Sequence, residues 1–520
     1  LFLTNKKSMK NFKVLFVYPN GKLLNPPPIS IGIFTALLKQ NGFEAGLFDT
    51  TLYDDNLKKG SDEAKQDNLQ VRPFDYGERG VRLKETIMEE DLAKKVEDFK
   101  PDLITISILE CTYAIALRVL KTMEKFNIPV LAGGVFTTFA PKIVLSNKSV
   151  TMACLGEGEE TLVEVCRRMA NGDDYSDVEN LWVKKDGKII TNKLRKPIDL
   201  NKLPIPDYSL FEPQRFFRPM AGKVYLTIPM ETNRGCPYSC TFCNSPSATQ
   251  LYRDSKAGVF FRKKSIKKIK DEIKFLVKKW NAEYIYFASD TFLTLTDNEF
   301  EEFVDFYKDV KLPFWIQTRV EVVTEYKIKK LKEIGCHRMS IGLEHGNSEF
   351  RKKILKKTFD NDKMVKASKI IAKVGIPLTV NNMIGFPDET RALIFDTIEL
   401  NRQLTFDTVN AVAFAPFHGT SLHKLCVERG YISENFTPGS INVDVSLDMP
   451  QLSKEEIRGL QRTFALYAKM PKDYWPKIER AEKFDEEGNR VFSELKKIYQ
   501  EKYFNEISLN PSPKGAAPLP

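Results

Sequence analysis

Cys236, Cys240 and Cys243 fall within one short stretch, Glu231-Thr232-Asn233-Arg234-Gly235-Cys236-Pro237-Tyr238-Ser239-Cys240-Thr241-Phe242-Cys243-Asn244, with the spacing C-x3-C-x2-C. Thiolates spaced in this way on one loop can take three corners of a cubane iron-sulfur cluster, whereas a complete protein set would need a fourth ligand. The missing ligand leaves one iron open to a substrate or cofactor. Structural zinc is the competing chemistry; it closes around four ligands and usually shows a second pair such as C-x2-C or H-x3-H. Neither second pair occurs, and Cys111, Cys154, Cys166, Cys336 and Cys426 are scattered singly.

With Phe242 at the aromatic position, the loop resembles the C-x3-C-x-aromatic-C loop of the radical S-adenosylmethionine enzymes. The resemblance implies a 4Fe-4S cluster on Cys236, Cys240 and Cys243. Its fourth iron would be chelated by the amino and carboxylate groups of S-adenosylmethionine, and one electron would cleave the sulfonium to a 5'-deoxyadenosyl radical. Further contacts to that cofactor are implied for residues downstream. Ser289 and Asp290 stand where the family's glycine-glycine-glutamate holds the methionine amino group, Glu344 matches a position near ribose and methionine, and Gly385 one near adenine. Phe242, Gln317 and Arg319 complete the candidate set. Arg319 can pair bidentately with the cofactor carboxylate or with its neighbour Glu321.

These residues need a scaffold that brings them together. Runs from Val224 to Ile228, Tyr284 to Ala288, Phe314 to Gln317, Arg338 to Leu343, Leu378 to Ile384 and Val409 to Phe414 read as strands, most followed by helical patterns. Six such units suit the partial (β/α)6 barrel of the resembled family, and barrel chemistry gathers at the carboxyl ends of strands. The candidate residues lie there. As single residues, Asp290, Asp388 and Thr390 would also serve as helix caps. His418, after the sixth strand, is either an acid or base or a turn residue in Phe417-His418-Gly419-Thr420, and turn chemistry favours the latter. His337, His345 and His423 show no partner in sequence.

The amino-terminal part has its own rhythm. Strand patterns at 13–18, 44–48, 103–107, 130–132 and 150–154 alternate with helical ones at 29–41, 114–126, near Lys142 and at 159–171, which predicts a doubly wound parallel sheet. Such sheets bind ligands beyond the carboxyl ends of their strands. Ser107-Ile108-Leu109, Gly133-Gly134 and Gly156-Glu157-Gly158-Glu159 follow successive strands there, after a Pro26-Pro27-Pro28 turn earlier in the chain. The set resembles the cobalamin-binding domain that precedes many radical S-adenosylmethionine domains. Cobalamin contacts are thereby implied for Ser107, Leu109, Gly133, Gly134, Thr137, Gly156 and Glu157. The family's D-x-H-x-x-G is absent, the stretch reading Asp49-Thr50-Thr51-Leu52-Tyr53-Asp54, so no histidine lower ligand is expected. Residues 52–100 exceed a normal crossover and read as a surface excursion or, through Phe74 and Tyr76, a cap over cobalamin or substrate. Cys111 reads as an inert buried thiol, or one facing the cobalt.

Between the halves, Trp182-Val183 and Ile189-Ile190 flank Asp186-Gly187 as a hairpin, and Leu203-Pro204-Ile205-Pro206 is an extended linker. The expected division is 9–172 cobalamin-binding, 173–220 hairpin and linker, 221–430 partial barrel, 431–508 helical region and 509–520 tail, with Met9 as the start. Aromatic residues Phe464, Tyr467, Tyr474 and Trp475 suggest a lid over the barrel. The chain has 520 residues, enough for several cores, and 28% charged residues without a membrane-length apolar run. Its net charge of +10 is spread over lysine-rich helices and not concentrated with aromatics, which argues against nucleic acid. Thiols unpaired by pattern fit a reducing cytoplasm.

The expected activity is methylation of an unactivated carbon in a small-molecule or natural-product substrate, with methylcobalamin as methyl donor and flavodoxin or ferredoxin as electron donor. Two other readings stand beside it. One is a cyclase, hydratase or rearrangement enzyme with the same cofactors; the other is a radical enzyme whose first domain has lost cobalamin and serves as a binding platform.

Overall fold

The computed structural model describes residues 12–54 and 59–504; the expected start at Met9 and the tail 509–520 lie outside the described residues. Two seven-stranded sheets dominate. In the first, the apolar run KVLFVY forms β1 (Lys13–Tyr18), buried almost throughout because helices cover both faces. β2 (Glu44–Asp49), β3 (Leu103–Ser107), β4 (Val130–Gly133) and β5 (Met152–Cys154) lie parallel to it in the order β2-β1-β3-β4-β5. The order reverses between β1 and β3, so the crevice beyond those two strands is where this fold takes a ligand. The crossovers are α1 (Ile29–Gln40), α2 (Ser61–Asp67), α3 (Met88–Phe99), α4 (Tyr113–Met123), α5 (Val135–Phe139), α6 (Pro141–Ser146) and α7 (Glu159–Asn171). The hairpin β6 (Leu181–Lys185) and β7 (Lys188–Thr191) extends this sheet antiparallel. Asp186 and Gly187 both take positive φ, as a two-residue hairpin requires.

The second sheet begins with β8 (Phe217–Met220), antiparallel to β9 (Lys223–Met230), and a short ribbon pairs β10 (Asn233–Arg234) with β11 (Arg262–Lys263). Five more strands follow, β12 (Tyr284–Phe287), β13 (Phe314–Thr318), β14 (Cys336–Glu344), β15 (Leu378–Ile384) and β16 (Thr408–Ala413). β9 and β12 to β16 run parallel, giving the six-stranded partial barrel. Alternate residues divide the faces: Met339, Ile341 and Leu343 are buried against helices, while Gly342 and Glu344 look into the lumen and stay half-buried.

An open barrel leaves β16 as an exposed edge, and two segments cover it. Gln70 Nε2 donates to Ala411 O at 2.9 Å, and Ala413 N donates to Ile441 O at 3.2 Å. From Gln70 the chain crosses the gap to β9, where Arg79 pairs with Glu283 at 2.9 Å and donates to Val224 O. Phe74 and Tyr76 pack edge to face, and Tyr76 Oη donates to Asp62, which also pairs with Arg218 of β8. The stretch 59–79 is thus a plug across the barrel's open side, and its aromatic residues tie it to β8.

The carboxyl-terminal helices also pack over the barrel's open side. Helix Lys454–Lys469 runs along β16, whose outer residues Val409, Ala411 and Ala413 need cover. Phe464 and Tyr467 are buried in that contact, and Trp475 packs on Phe395 and Tyr467. Aromatics at helical spacing became core because the edge strand had apolar area to bury.

Asp407, just before β16, ties plug and barrel together, with Arg72 at 2.6 Å and Arg338 at 2.5 Å. Burial alone would raise its carboxyl; the two guanidiniums more than offset that and hold it at about 2, below the ordinary 3.8. A depressed carboxylate stabilises the fold above its ordinary pKa, and this contribution is lost as pH falls through the folded value. Asp407→Asn is expected to cost about 3 kcal/mol at neutral pH by leaving buried arginine charge unpaired. The check is the denaturant midpoint at pH 7, with a smaller gap from the parent at pH 3.

Candidate active site between the two sheets

The cysteine loop leaves β9 and is pinned at once. Thr232 N and Oγ1 lie 3.2 and 2.5 Å from Ser289 Oγ, and Asn233 Nδ2 donates to Gly235 O. Gly235 has φ +84, and a Cβ there would meet Phe260 at 2.9 Å, so the loop can turn only on glycine. Thr241 straps its far side, donating to Ile354 O and Leu355 O and accepting from Leu422 N.

Each thiol has a polar partner. Cys236 Sγ lies 3.6 Å from Thr291 Oγ1, Cys240 Sγ accepts from Arg319 Nη1 at 3.1 Å, and Cys243 Sγ accepts from Ser245 N at 3.4 Å as the cap of α8 (Asn244–Asp254). Burial pushes the Cys236 thiol up and that of Cys243 to about 12, so iron would bind by displacing protons. Among the described residues no three His, Cys, Asp or Glu side chains converge tightly enough for a single ion. A cubane spreads its thiolates over separate irons and needs no such convergence. Three sulfurs on one loop, two of them accepting from Arg319 and Ser245 N, fit that group.

The candidate S-adenosylmethionine residues gather at the barrel mouth in differing postures. Asp290 is exposed beyond β12 in a recess whose desolvation raises its carboxyl pKa. Gln317 is half-buried and donates to Ser289 O at 2.9 Å. Ser289 itself is fully buried and turned onto Thr232, so it holds the cysteine loop. Phe242 contacts Phe386 at 6.3 Å, joining that loop to the turn after β15. Glu344 has φ +66 and accepts from Lys357 Nζ at 3.1 Å; a Cβ on Gly342 would meet its Oε1 at 2.1 Å. Gly385 N and Phe386 N donate to Glu389 Oε2 at 2.6 and 2.9 Å.

His345, without a partner in sequence, braces this turn. Its Nδ1 accepts from Asn347 N at 3.1 Å, and its Nε2 lies 3.0 Å from Glu389 Oε1 without hydrogen-bond alignment. No local signal reveals the pair, because its members lie on different barrel units.

Arg319 resolves its two alternatives toward Glu321. Its Nε lies 3.2 Å from both Glu321 oxygens, Nη2 joins the same carboxylate, and the guanidinium lies 3.9 Å over the Tyr238 ring. The remaining nitrogen meets Cys240 Sγ, so all three nitrogens are engaged within the chain. Hydrogen bonds to ligand sulfurs raise a cluster's potential by stabilising its reduced state. Arg319→Met is expected to retain iron while lowering the midpoint potential, read by EPR-monitored redox titration; an unchanged midpoint would remove this role.

Across from the mouth stand the strand ends of the first sheet. Ser107, Leu109 and Gly133 are half-buried, and the space beside Gly133 holds no protein atom within 4 Å of a Cβ placed there. Gly134 has φ +100 and presses on Ile108, whose carbonyl would lie 2.6 Å from a Cβ. This backbone-lined recess fits a cobalamin nucleotide tail, which needs close approach to main chain. Thr137 turns back, donating to Gly133 O at 2.9 Å. Gly156 and Glu157 face the barrel: Tyr252 Oη fills the space at Gly156, and Arg234 and Arg262 take the Glu157 carboxylate. Thr51, two residues after Asp49, is fully buried with Oγ1 accepting from Asn20, and Asp49 pairs with Arg215 at 2.6 Å. Cys111 is half-buried, its thiol pushed up to about 11 by burial.

The two sets of strand ends thus meet face to face. A Cβ on Gly419, beyond β16, would meet Phe139 of α5 at 2.4 Å.

Residues 25–166 match the family model of the B12 binding domain, and residues 230–400 that of the Radical SAM superfamily. The chain is 26% identical to an uncharacterized methyltransferase of Pyrococcus horikoshii, over 73% of this chain and 81% of the relative. It is 23% identical to the anaerobic magnesium-protoporphyrin IX monomethyl ester cyclase of Rubrivivax gelatinosus, over 78% and 68% of the two chains. It shares the fold of the radical S-adenosylmethionine methyltransferase TsrM from Kitasatospora setae, solved with cobalamin and a 4Fe-4S cluster bound. There the TM-score is 0.64 and the identity 14%, over 95% of this chain and 99% of that one.

Proposed function

We propose that this radical S-adenosylmethionine enzyme with a B12 binding domain methylates an unactivated carbon of a small-molecule or natural-product substrate. The observation that carries the reading is the meeting of the two carboxyl-terminal strand faces, with the cysteine loop on one side and the open recess at Gly133 on the other. When bound, the cluster with S-adenosylmethionine supplies a carbon-centred radical and cobalamin a transferable methyl group.

The chain's own residues do the rest. Cys236, Cys240 and Cys243 would hold the cluster. Asp290, Gln317, Glu344 and the Gly385 turn would orient S-adenosylmethionine, and Ser107, Leu109, Gly133 and Gly134 would seat cobalamin. The plug after Leu52 and helix Lys454–Lys469 keep water from the barrel's open side. Functional limits of 9–172 for the cobalamin unit and 221–430 for the radical unit accommodate these roles. Pro237 and Ser239 on the cysteine loop are exposed, giving a one-electron donor such as flavodoxin or ferredoxin a short approach. Unpaired thiols and an oxygen-sensitive cluster suit a reducing cytoplasm. Among the described residues no helix is long and apolar enough to cross a membrane.

The test is anaerobic incubation of reconstituted enzyme with cell extract and methyl-labelled S-adenosylmethionine, followed by identification of the labelled product and a count of deoxyadenosine. Label in a new carbon–carbon bond is expected. Deoxyadenosine with a consumed but unlabelled substrate would replace methylation by cyclisation or rearrangement, the reading that the cyclase relative favours. Failure to retain a corrin spectrum after desalting would leave the first domain as a binding platform.

A further inference from the structure

Glu110 follows Leu109 directly, beyond β3, and is only 7% exposed. Its partner lies in the other unit. Glu110 Oε2 accepts from His418 N at 3.0 Å, and Oε1 lies 2.5 Å from His418 Nδ1. On the other side of the ring, Nε2 lies 3.0 Å from Glu434 O. With Glu110 ionised, both ring nitrogens face acceptors and both donate. Burial alone would lower its pKa, but Glu110 and the Glu434 carbonyl raise it above the ordinary value. The Glu434 carboxylate adds to the raising, and the tilted ring of His423 lies 4.2 Å away; burial and the His418 charge push His423 down to about 4, so it stays neutral. Phe136 closes the other side at 5.5 Å.

The pair touches both cofactor loops. Glu110 is one residue from Leu109 at the first recess, and His418 O accepts from Asn244 Nδ2 at 2.8 Å, the residue after Cys243. A buried charge pair is a poor source of stability, since desolvation offsets most of its attraction. A two-point, charge-assisted contact is directional, however, and fixes one orientation where apolar packing would permit several. Bulk attachment between the units already comes from Arg234, Glu157 and Glu159.

We propose that Glu110 and His418 form the latch that sets the register between the two cofactor-bearing loops, as positioning residues for exchange between the cofactors and not for binding either one. The proposal rests on the methyl-transfer reading above. Misplacement of reacting partners by about 1 Å costs on the order of a hundredfold in rate, which is what such a latch would prevent.

The test uses full-length protein reconstituted with iron, sulfide and cobalamin, as parent, Glu110→Ala and Glu110→Gln. Conversion of reduced cobalamin to its methylated form by S-adenosylmethionine needs no substrate but does need both loops in register. Deoxyadenosine released under dithionite needs the barrel alone. Hydrogen–deuterium exchange over residues 107–112 and 415–423, measured on cofactor-free protein, reads the latch directly. Glu110→Ala is expected to slow cobalamin methylation about ten- to a hundredfold, to leave deoxyadenosine release unchanged, and to raise exchange at both segments. Glu110→Gln keeps one acceptor oxygen for His418 N and can donate its amide to Nδ1 of a neutral ring, so it should recover part of the loss without the charge. Equal loss of both activities, or unchanged methylation with unchanged exchange, overturns the proposal. A parent that never methylates cobalamin would sink the methyl-transfer reading, while the exchange result would still judge the latch.

Discussion

Replacing Cys240 by alanine is expected to abolish deoxyadenosine formation and strip the protein of its iron and sulfide, without unfolding it. Cys240 is buried at the centre of its loop and is the sulfur that Arg319 addresses. Without it a cubane would keep only two protein corners, and the Arg319 guanidinium would lose one acceptor. The loop's shape does not depend on that thiol, because Thr232 and Thr241 strap it to Ser289, Ile354 and Leu355. Circular dichroism should therefore match the parent while the iron content and the visible absorption of the cluster are lost. Cys336→Ala is the control, since that thiol is buried in β14 among apolar neighbours. It should cost packing of about 1 kcal/mol and no iron. Equal iron in Cys240→Ala and Cys336→Ala would refute the assignment of the loop.

The same contrast shows what sequence can convey. Six barrel strands and the sheet before them are legible because each is a short β-branched or apolar run between turn residues, and burial on both faces removes competing patterns. The cysteine loop is legible because its chemistry is local. Side-chain direction is not: Ser289 and Arg319 stand at the strand ends where the mouth forms, yet one faces Thr232 and the other Glu321 and Cys240. Long-range partners leave no periodic trace either. Arg72 with Asp407, Glu110 with His418 and His345 with Glu389 become visible only once the strands are stacked. The plug after Leu52 was ambiguous for that reason, since its purpose is set by an edge strand far along the chain.

Arg234→Ala should be the most destabilising single change at the junction of the two units. Arg234, two residues before Cys236, places Nη1 at 3.0 Å from Glu157 and 2.8 Å from Glu159, and Nε at 3.1 Å from Glu231. Arg262 shares Glu157, while Lys264 reaches Glu231 at 3.7 Å and Glu272 at 2.9 Å. Removing the central guanidinium strands Glu159 and leaves three neighbouring carboxylates to Arg262 and Lys264, too few cations for the charges around them. A loss of about 5 kcal/mol at neutral pH is expected, the upper end for breaking a buried ion pair. The sign of its pH dependence follows from Glu231. Burial would raise that carboxyl, but Arg234 and Lys264 more than offset this and hold it below the ordinary 4.5. In the parent this stabilisation is present above the ordinary value and is lost as pH falls through the lowered one. In Arg234→Ala most of this stabilisation is already gone, so the gap between the two proteins should narrow as pH falls toward the ordinary carboxylate range, from pH 7 to pH 4. Denaturant titration at both values measures this. Adding Glu159→Gln to Arg234→Ala should restore part of the loss, because one repelling charge is gone; simple additivity of the two substitutions would show that the network is not coupled.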